Sequence, residues 1–371
     1  MKSKPLSLII FTLLTIGLVF ISVSSVTEAA YTAGDKLYFI RKQLLWSFLG
    51  IITYFIATKI SLKLIKQYAN QLFFLTLILL IILFLPSLSN VTLGAKRWLD
   101  LGFIGIQPSE ILKVTAIIFF SKLFSESSGL EIKKMIIYLG IPLVLIILEP
   151  NMSTAVLIAT IVITLYYLAG GDIIPLFLTC TVGFILGVFL IFSSPYRKAR
   201  LNSSSYHSNQ MTLALTSGHL IGKGFANSDQ KYRYLPKIST DSILAVIGEE
   251  TGFIGISIII GLYLTLILNI IKVGQQSDDQ FQRLLAIGVG CWIAYQSVIN
   301  ISAVVSLIPL TGVPLPLISY GGSSLITLLF GLGLVENINQ QSSKLVYSDK
   351  HDKRKEHHHH RNPSHPSHRN N

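Results

Sequence analysis

Charged residues are scarce in this sequence, and their scarcity excludes an ordinary soluble protein. Asp, Glu, Lys and Arg make up only 13% of the 371 residues, whereas 51% are hydrophobic and the mean hydropathy is +0.61. Soluble globular chains carry about 25% charged residues. Because so few charges cannot cover the surface of a soluble protein of this length, the composition predicts a membrane protein.

Cysteine is nearly absent as well. Cys180 and Cys291 both lie in apolar runs, which favours neither a disulfide framework nor a metal site. The sequence also lacks a P-loop, a dinucleotide fingerprint, an internal repeat and a Ser/His/Asp set. Acidic residues are fewer than basic ones, 18 against 30, and the net charge is +12. Because the basic residues fall mostly in predicted loops and in the C-terminal tail, we attribute this charge to membrane topology and predict no nucleic-acid partner.

Long apolar runs are abundant. A helix needs about 20 residues to cross the hydrocarbon core of a bilayer. The sequence therefore predicts an all-α, polytopic membrane protein with about ten transmembrane helices, at 6–26, 43–58, 71–89, 107–124, 135–149, 153–169, 173–194, 242–271, 284–305 and 316–335. The first segment also has features of a signal peptide ending near Ala29, but its length and the many spans that follow favour an uncleaved helix.

Basic residues predict the orientation in the membrane. The inner loops and the N-terminus hold ten Lys and Arg residues, and the short outer loops hold five. This bias places both termini in the cytoplasm. We therefore predict a multi-pass protein of the cell inner membrane. The exception is one large outer loop, 195–241, between the seventh and eighth helices. Its basic residues are Arg197, Lys198, Arg200, Lys223, Lys231, Arg233 and Lys237. An anionic substrate would explain them; alternatively, so long a loop crosses the membrane regardless of its charge.

The C-terminal tail differs in composition from the rest of the chain. We divide the sequence into a transmembrane domain, 1–340, and a basic tail, 341–371, which holds seven of the nine histidines. The polar composition predicts a disordered cytoplasmic tail. A metal site is the alternative, but no acidic or cysteine ligands are spaced around the histidines.

Ionisable residues inside apolar segments carry more information, because they are costly in hydrocarbon and usually face a cavity or a partner. Glu110 and Lys113 are three residues apart, on one face of a helix. They either neutralise each other to support the helix or form the charged wall of an outward-facing cavity, next to the loop that contains Arg97. Glu249 and Glu250 lie in the eighth segment, and we expect at least one of them to point into the bundle.

Asp241 stands in the stretch STDSILAVIGEE, at 239–250, directly before the eighth segment. An aspartate in this position is typical of a helix N-cap. The same position also suits a catalytic base, since the helix dipole and the free N–H groups stabilise the ionised carboxylate.

Four sequence blocks resemble the SEDS family of bacterial envelope proteins, which includes FtsW, RodA and SpoVE. The blocks are GAKRWLDLGFIGIQPSEILK at 94–113, EPNMSTA at 149–155, LPKISTDSILAVIGEETGFIG at 235–255 and PLTGVPLPLISYGGSS at 309–324. The resemblance extends from the second to the tenth predicted span. The SYGGSS and IGEE motifs are more similar to the sequences of FtsW-type members, whereas YHSNQ at 206–210 is more similar to that of RodA.

The resemblance implies an inverting peptidoglycan glycosyltransferase that polymerises lipid II at the outer face of the membrane. It also implies a class B penicillin-binding transpeptidase as partner and, for an FtsW-type member, other division-machinery proteins at the septum. By motif, Asp241 is the catalytic residue. In the family, the residues of this segment are commonly proline, glutamate, alanine, histidine, threonine, aspartate and phenylalanine. The departures from the family pattern are Lys237, Ile238, Ser239 and Ser242 here, and Asn151 and Ser153 in the second block.

The chemistry of this reaction needs a base and a sink for negative charge. The 4-hydroxyl of one sugar attacks the anomeric carbon of another and displaces a polyprenyl diphosphate. A carboxylate, here Asp241, can take the hydroxyl proton, and fixed cations can stabilise the leaving diphosphate. The substrate-binding candidates are Arg97, Glu110, Lys113, Arg197, Arg200, Gln210 and Lys231. A divalent cation is an alternative counter-charge, but no ligand spacing supports one.

Two other classes of protein fit the same helices. A lipid II flippase would use the same cavity and cations to carry the headgroup across the membrane. It would need a polar path through the full bilayer, whereas the polar residues lie mainly in the predicted outer half. A non-enzymatic scaffold of the division machinery would need only the helices and the tail.

Overall fold

The structure, a computed structural model, describes residues 6–85, 89–92, 95–100, 105–126, 132–193, 208–228 and 239–359. Its helices are α1 (Leu6–Ala33), α2 (Tyr38–Ala57), α3 (Leu62–Gln67), α4 (Ala69–Ile82), α5 (Pro108–Glu126), α6 (Ile132–Leu148), α7 (Met152–Leu168), α8 (Ile173–Ser193), α9 (208–217), α10 (Ile243–Gln275), α11 (Gln280–Val304) and α12 (Gly322–His359). Three short strands, β1 (Ser89–Thr92), β2 (Ala95–Asp100) and β3 (Gly105–Ile106), lie between α4 and α5.

Each of the ten predicted apolar segments has a helical counterpart; the third, 71–89, corresponds to α4, which the short α3 precedes. Within the described residues, the stretches long and apolar enough to cross a membrane are Leu6–Val26, Tyr38–Ala57, Leu62–Ile82, Ile243–Gln275 and Gln280–Val304. Shorter apolar helices follow at Met152–Leu168 and Ile173–Phe189. The chain is therefore a multi-pass, α-helical membrane protein, as predicted, while the number of ten spans stays a prediction.

Helix α5 lies at the centre of the packing. It contacts α4, α7, α11 and α12, and most of its residues are buried, including the charged Glu110 and Lys113. Around it, α12 packs along α2, and α10 packs along α11. Helix α8 contacts α7 and exposes Phe177, Phe184 and Phe189. A span that faces lipid exposes such apolar side chains, whereas the ionisable ones turn inward.

A small three-stranded antiparallel sheet, ordered β1-β2-β3, accompanies the predicted helices and was not itself predicted. The β1–β2 register passes from Asn90 opposite Trp98 to Val91 opposite Lys96. Arg97 is therefore the extra residue of a β-bulge, a feature that bends the strand and redirects a side chain. The redirected guanidinium of Arg97 reaches the turn between α6 and α7. This sheet was not predictable from periodicity, because its strands are only a few residues long.

Helix α10 is broken at Gly252, whose φ of 68° lies in the left-handed region that glycine adopts at no steric cost. The backbone groups freed by the break bond to the outer loop. The donor–acceptor pairs are Phe253 N with His219 O, Ile254 N with Leu220 O, Lys223 N with Glu249 O and Gly224 N with Glu250 O. A Cβ at position 252 would lie 2.6 Å from Leu220 O, so only glycine fits. The described part of the outer loop, 208–228, therefore folds back onto α10.

Helix α12 extends to His359, so the backbone of 341–359 is helical where the sequence predicts a disordered tail. This stretch contains no proline or glycine and is rich in good helix formers such as lysine. A helix that is already nucleated by its packed part extends at little further cost. The structure thus differs from the predicted disorder over this stretch. Residues 360–371 lie outside the described residues, and the domain boundary at 340 stays a prediction.

Candidate active site

A cavity of about 460 Å³ joins residues that are far apart in the sequence. Its wall contains Arg97 from β2, Glu110 and Lys113 from α5, and Asp241 from the segment that precedes α10. Ligand pockets are typically about 300–1,000 Å³ in volume, so the cavity is large enough for a sugar unit. The structure therefore brings four of the predicted site residues to one place.

The backbone around Asp241 is held firmly. Three consecutive carbonyl oxygens, those of residues 239–241, each accept a hydrogen bond. In chain order, the donors are Tyr320 N at 2.8 Å, Ser319 Oγ at 2.6 Å and Asn300 Nδ2 at 3.3 Å. Asn300 Nδ2 also donates to Val313 O at 2.8 Å. The segment before α10 is thus fastened to α11 and to the turn that precedes α12, which fixes where the Asp241 side chain begins.

Asp241 does not occupy the N-cap of α10. Ser242 is the N-cap residue, and its side chain makes no capping hydrogen bond. Asp241 lies one residue earlier, half-buried and on the wall of the cavity. A carboxylate this close to a helix N-terminus is still stabilised by the helix dipole. Ser242, and not Asp241, thus occupies the N-cap position, while the catalytic role of Asp241 stays a prediction.

Glu110 and Lys113 form a buried ion pair, as their spacing predicts. Lys113 Nζ lies 2.7 Å from Glu110 Oε2, and the side chains are only 1% and 5% exposed, respectively. Lys113 has two further partners on α11. It donates to Gln296 Oε1 at 3.1 Å and lies 5.4 Å from the ring centroid of Trp292. The two predicted alternatives are therefore compatible: Glu110 and Lys113 neutralise each other, and both also line the cavity.

Gln296 orients this part of the site and was not among the predicted residues. Its Oε1 also accepts a bond from Trp292 Nε1 at 2.7 Å, and its Nε2 donates to Pro314 O at 2.8 Å. One side chain therefore links Lys113 to the turn that precedes α12. The sequence signal was a glutamine inside an apolar segment, but its partner lies 183 residues away.

Arg97 fastens the sheet to the turn between α6 and α7. Its Nε donates to Glu149 O at 3.2 Å, and its Nη2 donates to Pro150 O. These bonds use part of the guanidinium, which still lines the cavity. Arg97 therefore has a structural role beside the role predicted for it in binding an anionic substrate.

Glu149 is a buried acid in the turn between α6 and α7. It is 2% exposed, and neither carboxylate oxygen has a hydrogen-bond partner within the described part of the chain. Burial raises the pKa of the Glu149 carboxyl to about 8, and the Arg97 guanidinium opposes this rise. The Glu149 carboxyl is therefore mostly protonated at neutral pH.

We expect the raised pKa of Glu149 to make the protein less stable as the pH rises. Between the ordinary value of 4.5 and the folded value of about 8, the folded state holds a proton that the unfolded state has lost, so stability falls with increasing pH. Glu149→Gln imitates the neutral acid and should flatten this fall. The measurement is the melting temperature in detergent across that pH range, with Glu126→Gln, a half-exposed acid, as control. Equal destabilisation of Glu149→Gln at every pH would contradict the protonated state.

Glu249 and Glu250 are both buried, and both face the outer loop instead of the cavity. Lys223 Nζ lies 2.7 Å from Glu249 Oε1, and Ser228 Oγ donates to the other oxygen of that carboxylate. Ala226 N donates to Glu250 Oε2 at 3.0 Å. Both acids are buried, but the partners named here lie on the outer loop, so the orientation of either acid into the bundle stays a prediction. The pairing also gives Lys223 a structural role, which neither explanation of the basic loop included.

The remaining predicted site residues are not brought to the cavity by the described structure. Gln210 is half-buried on α9 and is not among the cavity-lining residues. Its helix is linked instead to Ser306, which bonds to Thr212 at 3.0 Å. Arg197, Arg200 and Lys231 lie outside the described residues. Within the described part, no three His, Cys, Asp or Glu side chains cluster as metal ligands.

Several positions that depart from the family pattern have polar partners in the structure. Ser153 Oγ donates to Thr311 O at 3.0 Å, and Asn151 lies on the cavity wall. Ser239 donates to Glu28 of α1, an acid that also lines the cavity and that sequence reasoning missed. The only sequence signal for Glu28 was an acidic residue near the end of a long apolar segment.

This architecture defines a class: a polytopic membrane protein whose helices enclose a charged cavity with a carboxylate at a helix start. Residues 4–344 match the sequence profile of the FtsW/RodA/SpoVE family, described as "Cell cycle protein". The chain belongs to this family.

Relatives agree with this assignment. The chain is 32% identical over 351 residues to the probable peptidoglycan glycosyltransferase FtsW of Trichlorobacter lovleyi, covering 90% of this chain and 92% of that one. It is 32% identical over 360 residues to the stage V sporulation protein E of Bacillus subtilis, covering 92% and 98%.

Solved structures share the fold. A chain from a peptidoglycan synthase complex that coordinates polymerization and crosslinking superposes with a TM-score of 0.76, at 22% identity, covering 91% of this chain and 97% of that chain. The rod shape determining protein RodA of Thermus thermophilus gives a TM-score of 0.70, also at 22% identity, covering 91% and 96%.

Proposed function

We propose that this protein is a peptidoglycan glycosyltransferase that polymerises lipid II at the outer face of the membrane. The observation that carries the proposal is the cavity in which Asp241, at a helix start, lies together with the cations of Arg97 and Lys113. Curated relatives at 32% identity bear the name of this activity. A carboxylate and cations around one cavity are the groups that the reaction requires.

Asp241 acts as the base in this mechanism. The acceptor 4-hydroxyl loses its proton to the Asp241 carboxylate as its oxygen forms a bond to the anomeric carbon of the donor. The bond from that carbon to the diphosphate oxygen breaks, and the electron pair leaves with the polyprenyl diphosphate. A positioned base contributes typically about 10²–10⁴-fold to such a step. The pinned backbone of residues 239–241 supports this role, because a base is effective only in a fixed position.

Arg97 and Lys113 are the described cations that stabilise the leaving diphosphate. Lys113 is paired with Glu110, so the net charge of that wall is smaller than its cation count suggests. Arg197, Arg200 and Lys231 of the outer loop complete the proposed charge sink. A divalent cation remains an alternative source of positive charge, and chelation of the purified protein would test it.

The cellular setting extends the same proposal. Because relatives are named FtsW, we place the protein at the division septum, beside a class B penicillin-binding transpeptidase and other division-machinery membrane proteins. One structural neighbour comes from a complex that couples polymerization to crosslinking, which supports such a partner.

Reconstitution with labelled lipid II tests the proposed function directly. The purified protein is placed in vesicles that carry labelled lipid II, and the glycan product and the side of the headgroup are both measured. We expect glycan strands in the wild type and none in Asp241→Asn. Translocation without glycan would favour a flippase, and neither product, with and without the partner transpeptidase, would favour a scaffold.

Charge reversal in the outer loop tests the proposed diphosphate contact. We expect Arg200→Glu and Lys231→Glu each to raise the apparent KM for lipid II, and to lower turnover if the contact strengthens as the diphosphate leaves. Lys223→Glu is unsuitable as a control, since Lys223 is paired with Glu249; Lys36→Glu, in a short outer loop, serves instead. Unchanged kinetics in both reversed variants would move the charge sink to Arg97, Lys113 or a bound metal ion.

A further inference from the structure

Glu28 joins the first helix to the segment that carries Asp241. One oxygen of its carboxylate, Oε2, accepts two hydrogen bonds from Ser239, from N at 3.2 Å and from Oγ at 2.7 Å. Glu28 belongs to α1 and Ser239 lies 211 positions later. Hydrogen bonds to a charged acceptor are shorter and stronger than those between neutral groups, so this contact is a firm one.

Helix α1 is a fixed support for this carboxylate. It packs on α2 and α10, and Ser25 and Ala29, which lie close to Glu28 along the helix, are completely buried. A Cβ placed on Gly17 would lie 2.7 Å from the Cα of Ile318, so α1 approaches the turn before α12 very closely. Because α1 cannot shift without disturbing these contacts, Glu28 holds Ser239 at a defined place.

The contacts of Ser239 come from two sides. The carbonyl of Ser239 accepts a bond from Tyr320 N, while its N–H and its hydroxyl both point to Glu28. The following two carbonyls are held by Ser319 and Asn300. Removal of Glu28 would therefore release one side of the segment, two residues before Asp241, and leave the other side attached.

We propose that Glu28 is a positioning residue that acts through Ser239 to place the Asp241 carboxylate for proton abstraction. This inference rests on the proposed function, because it assigns a partner to the proposed base. A small displacement of a catalytic group reduces the rate of the chemical step far more than it reduces substrate binding. The predicted signature is therefore a fall in kcat with little change in KM.

The kinetic test compares four variants and one control in the lipid II assay. We expect Glu28→Ala and Ser239→Ala each to lower kcat about tenfold, with KM within about twofold. The double variant should be no worse than the poorer single variant, because residues that act as one unit are not additive. Glu28→Gln keeps an oxygen that can accept from Ser239 and should retain more activity than Glu28→Ala. Asp35→Ala, an acid near the end of α1 that pairs with the exposed Arg41, is the control and should behave as wild type.

Cross-linking tests the contact independently of activity. A short bifunctional thiol reagent should join Glu28→Cys to Ser239→Cys in membranes, because the glutamate carboxylate that bridges the two residues is longer than a direct disulfide. Thr32→Cys with Ser239→Cys, one helical turn further along α1, should be joined much more slowly. Absence of the first cross-link would overturn the contact itself.

The outcomes separate this inference from the proposed function. Normal kcat in Glu28→Ala and Ser239→Ala, with an inactive Asp241→Asn, would overturn the positioning role and leave the function standing. A raised KM in Glu28→Ala alone would also overturn it, because Glu28 would then contact the substrate directly. If the wild type makes no glycan, the proposed function fails and the positioning role fails with it, whereas the cross-link still reports whether the two residues touch.

Discussion

We expect Asp241→Asn to abolish glycan polymerisation while the variant accumulates in the membrane at a near-normal level. Asparagine has the shape of aspartate but cannot take a proton, so the loss should approach the full contribution of a general base, about 10²–10⁴-fold. The fold should survive because the bonds that fasten residues 239–241 to Asn300 and Ser319 use backbone carbonyls, which the substitution leaves in place.

A second aspartate in the same chain provides the matched control. Asp279 is the N-cap of α11, and its Oδ1 accepts a bond from Gln282 N at 3.1 Å. Asp279→Ala should lower stability by about 0.5–2 kcal/mol, the typical effect of losing a cap, and should leave polymerisation intact. Asp241→Ala should abolish polymerisation and leave the stability close to that of the wild type, since Ser242 and not Asp241 occupies the N-cap of α10.

The pair of measurements is polymerisation of labelled lipid II and thermal unfolding of the purified variants. If Asp241→Asn retains more than a small fraction of the wild-type rate, Asp241 is not the base. If Asp241→Ala instead unfolds like a cap variant, the earlier alternative of a structural aspartate would be correct, and the base must be sought among the other acids of the cavity.

The helices were largely predictable from the sequence, because their apolar runs must each cover the thickness of a membrane. The boundaries were less so. The second helix begins at Tyr38, five residues before the predicted start at position 43, since the polar residues at its outer end were assigned to a loop. The sheet that contains Arg97 could not be predicted, because strands of two to six residues have no measurable periodicity.

The site was predictable in its local parts and not in its long-range ones. Glu110 and Lys113 lie on one helix, so their spacing alone predicted that they meet. Gln296, Asn300 and Glu28 reach the site from other helices, and no local pattern indicates which distant side chain a buried polar group will face. Gln210 was selected by its motif, and the structure places it on a loop helix away from the cavity.

The charge of the outer loop was also hard to predict from the sequence. Its basic residues were explained either by an anionic ligand or by a loop that crosses the membrane regardless of charge, yet Lys223 is neutralised by the buried carboxylate of Glu249. The sequence contained both residues, but only the break at Gly252 brings the loop against α10. A count of charges in a loop therefore overestimates the charge that is available to a substrate, because buried acids elsewhere neutralise part of it.

We expect either single neutralisation of the buried pair Glu110 and Lys113 to destabilise the protein more than neutralisation of both. One uncompensated charge left in a buried site costs about 3–5 kcal/mol, whereas replacing both partners by neutral groups of similar volume is often close to neutral. Lys113 and Glu110 form such a buried pair, because their side chains are only 1% and 5% exposed.

The two single variants should also differ from each other. In Glu110→Gln, the Lys113 ammonium keeps the acceptor Gln296 Oε1 and the ring face of Trp292. In Lys113→Met, the Glu110 carboxylate loses the cation 2.7 Å away. Lys113→Met should therefore have the lowest melting temperature of the set, with Glu110→Gln above it and the double variant Glu110→Gln/Lys113→Met above both single variants.

Activity should not follow stability across this set, and the difference separates a structural role from a role in binding. Because Lys113 lies on the cavity wall with Asp241, the double variant should recover its folding but still bind or turn over lipid II poorly, since it lacks one cation of the charge sink. The measurements are melting temperatures in detergent and kcat and KM in vesicles. A double variant with wild-type kinetics would restrict the pair to supporting the fold, and a double variant less stable than both singles would show that the ion pair itself stabilises the bundle.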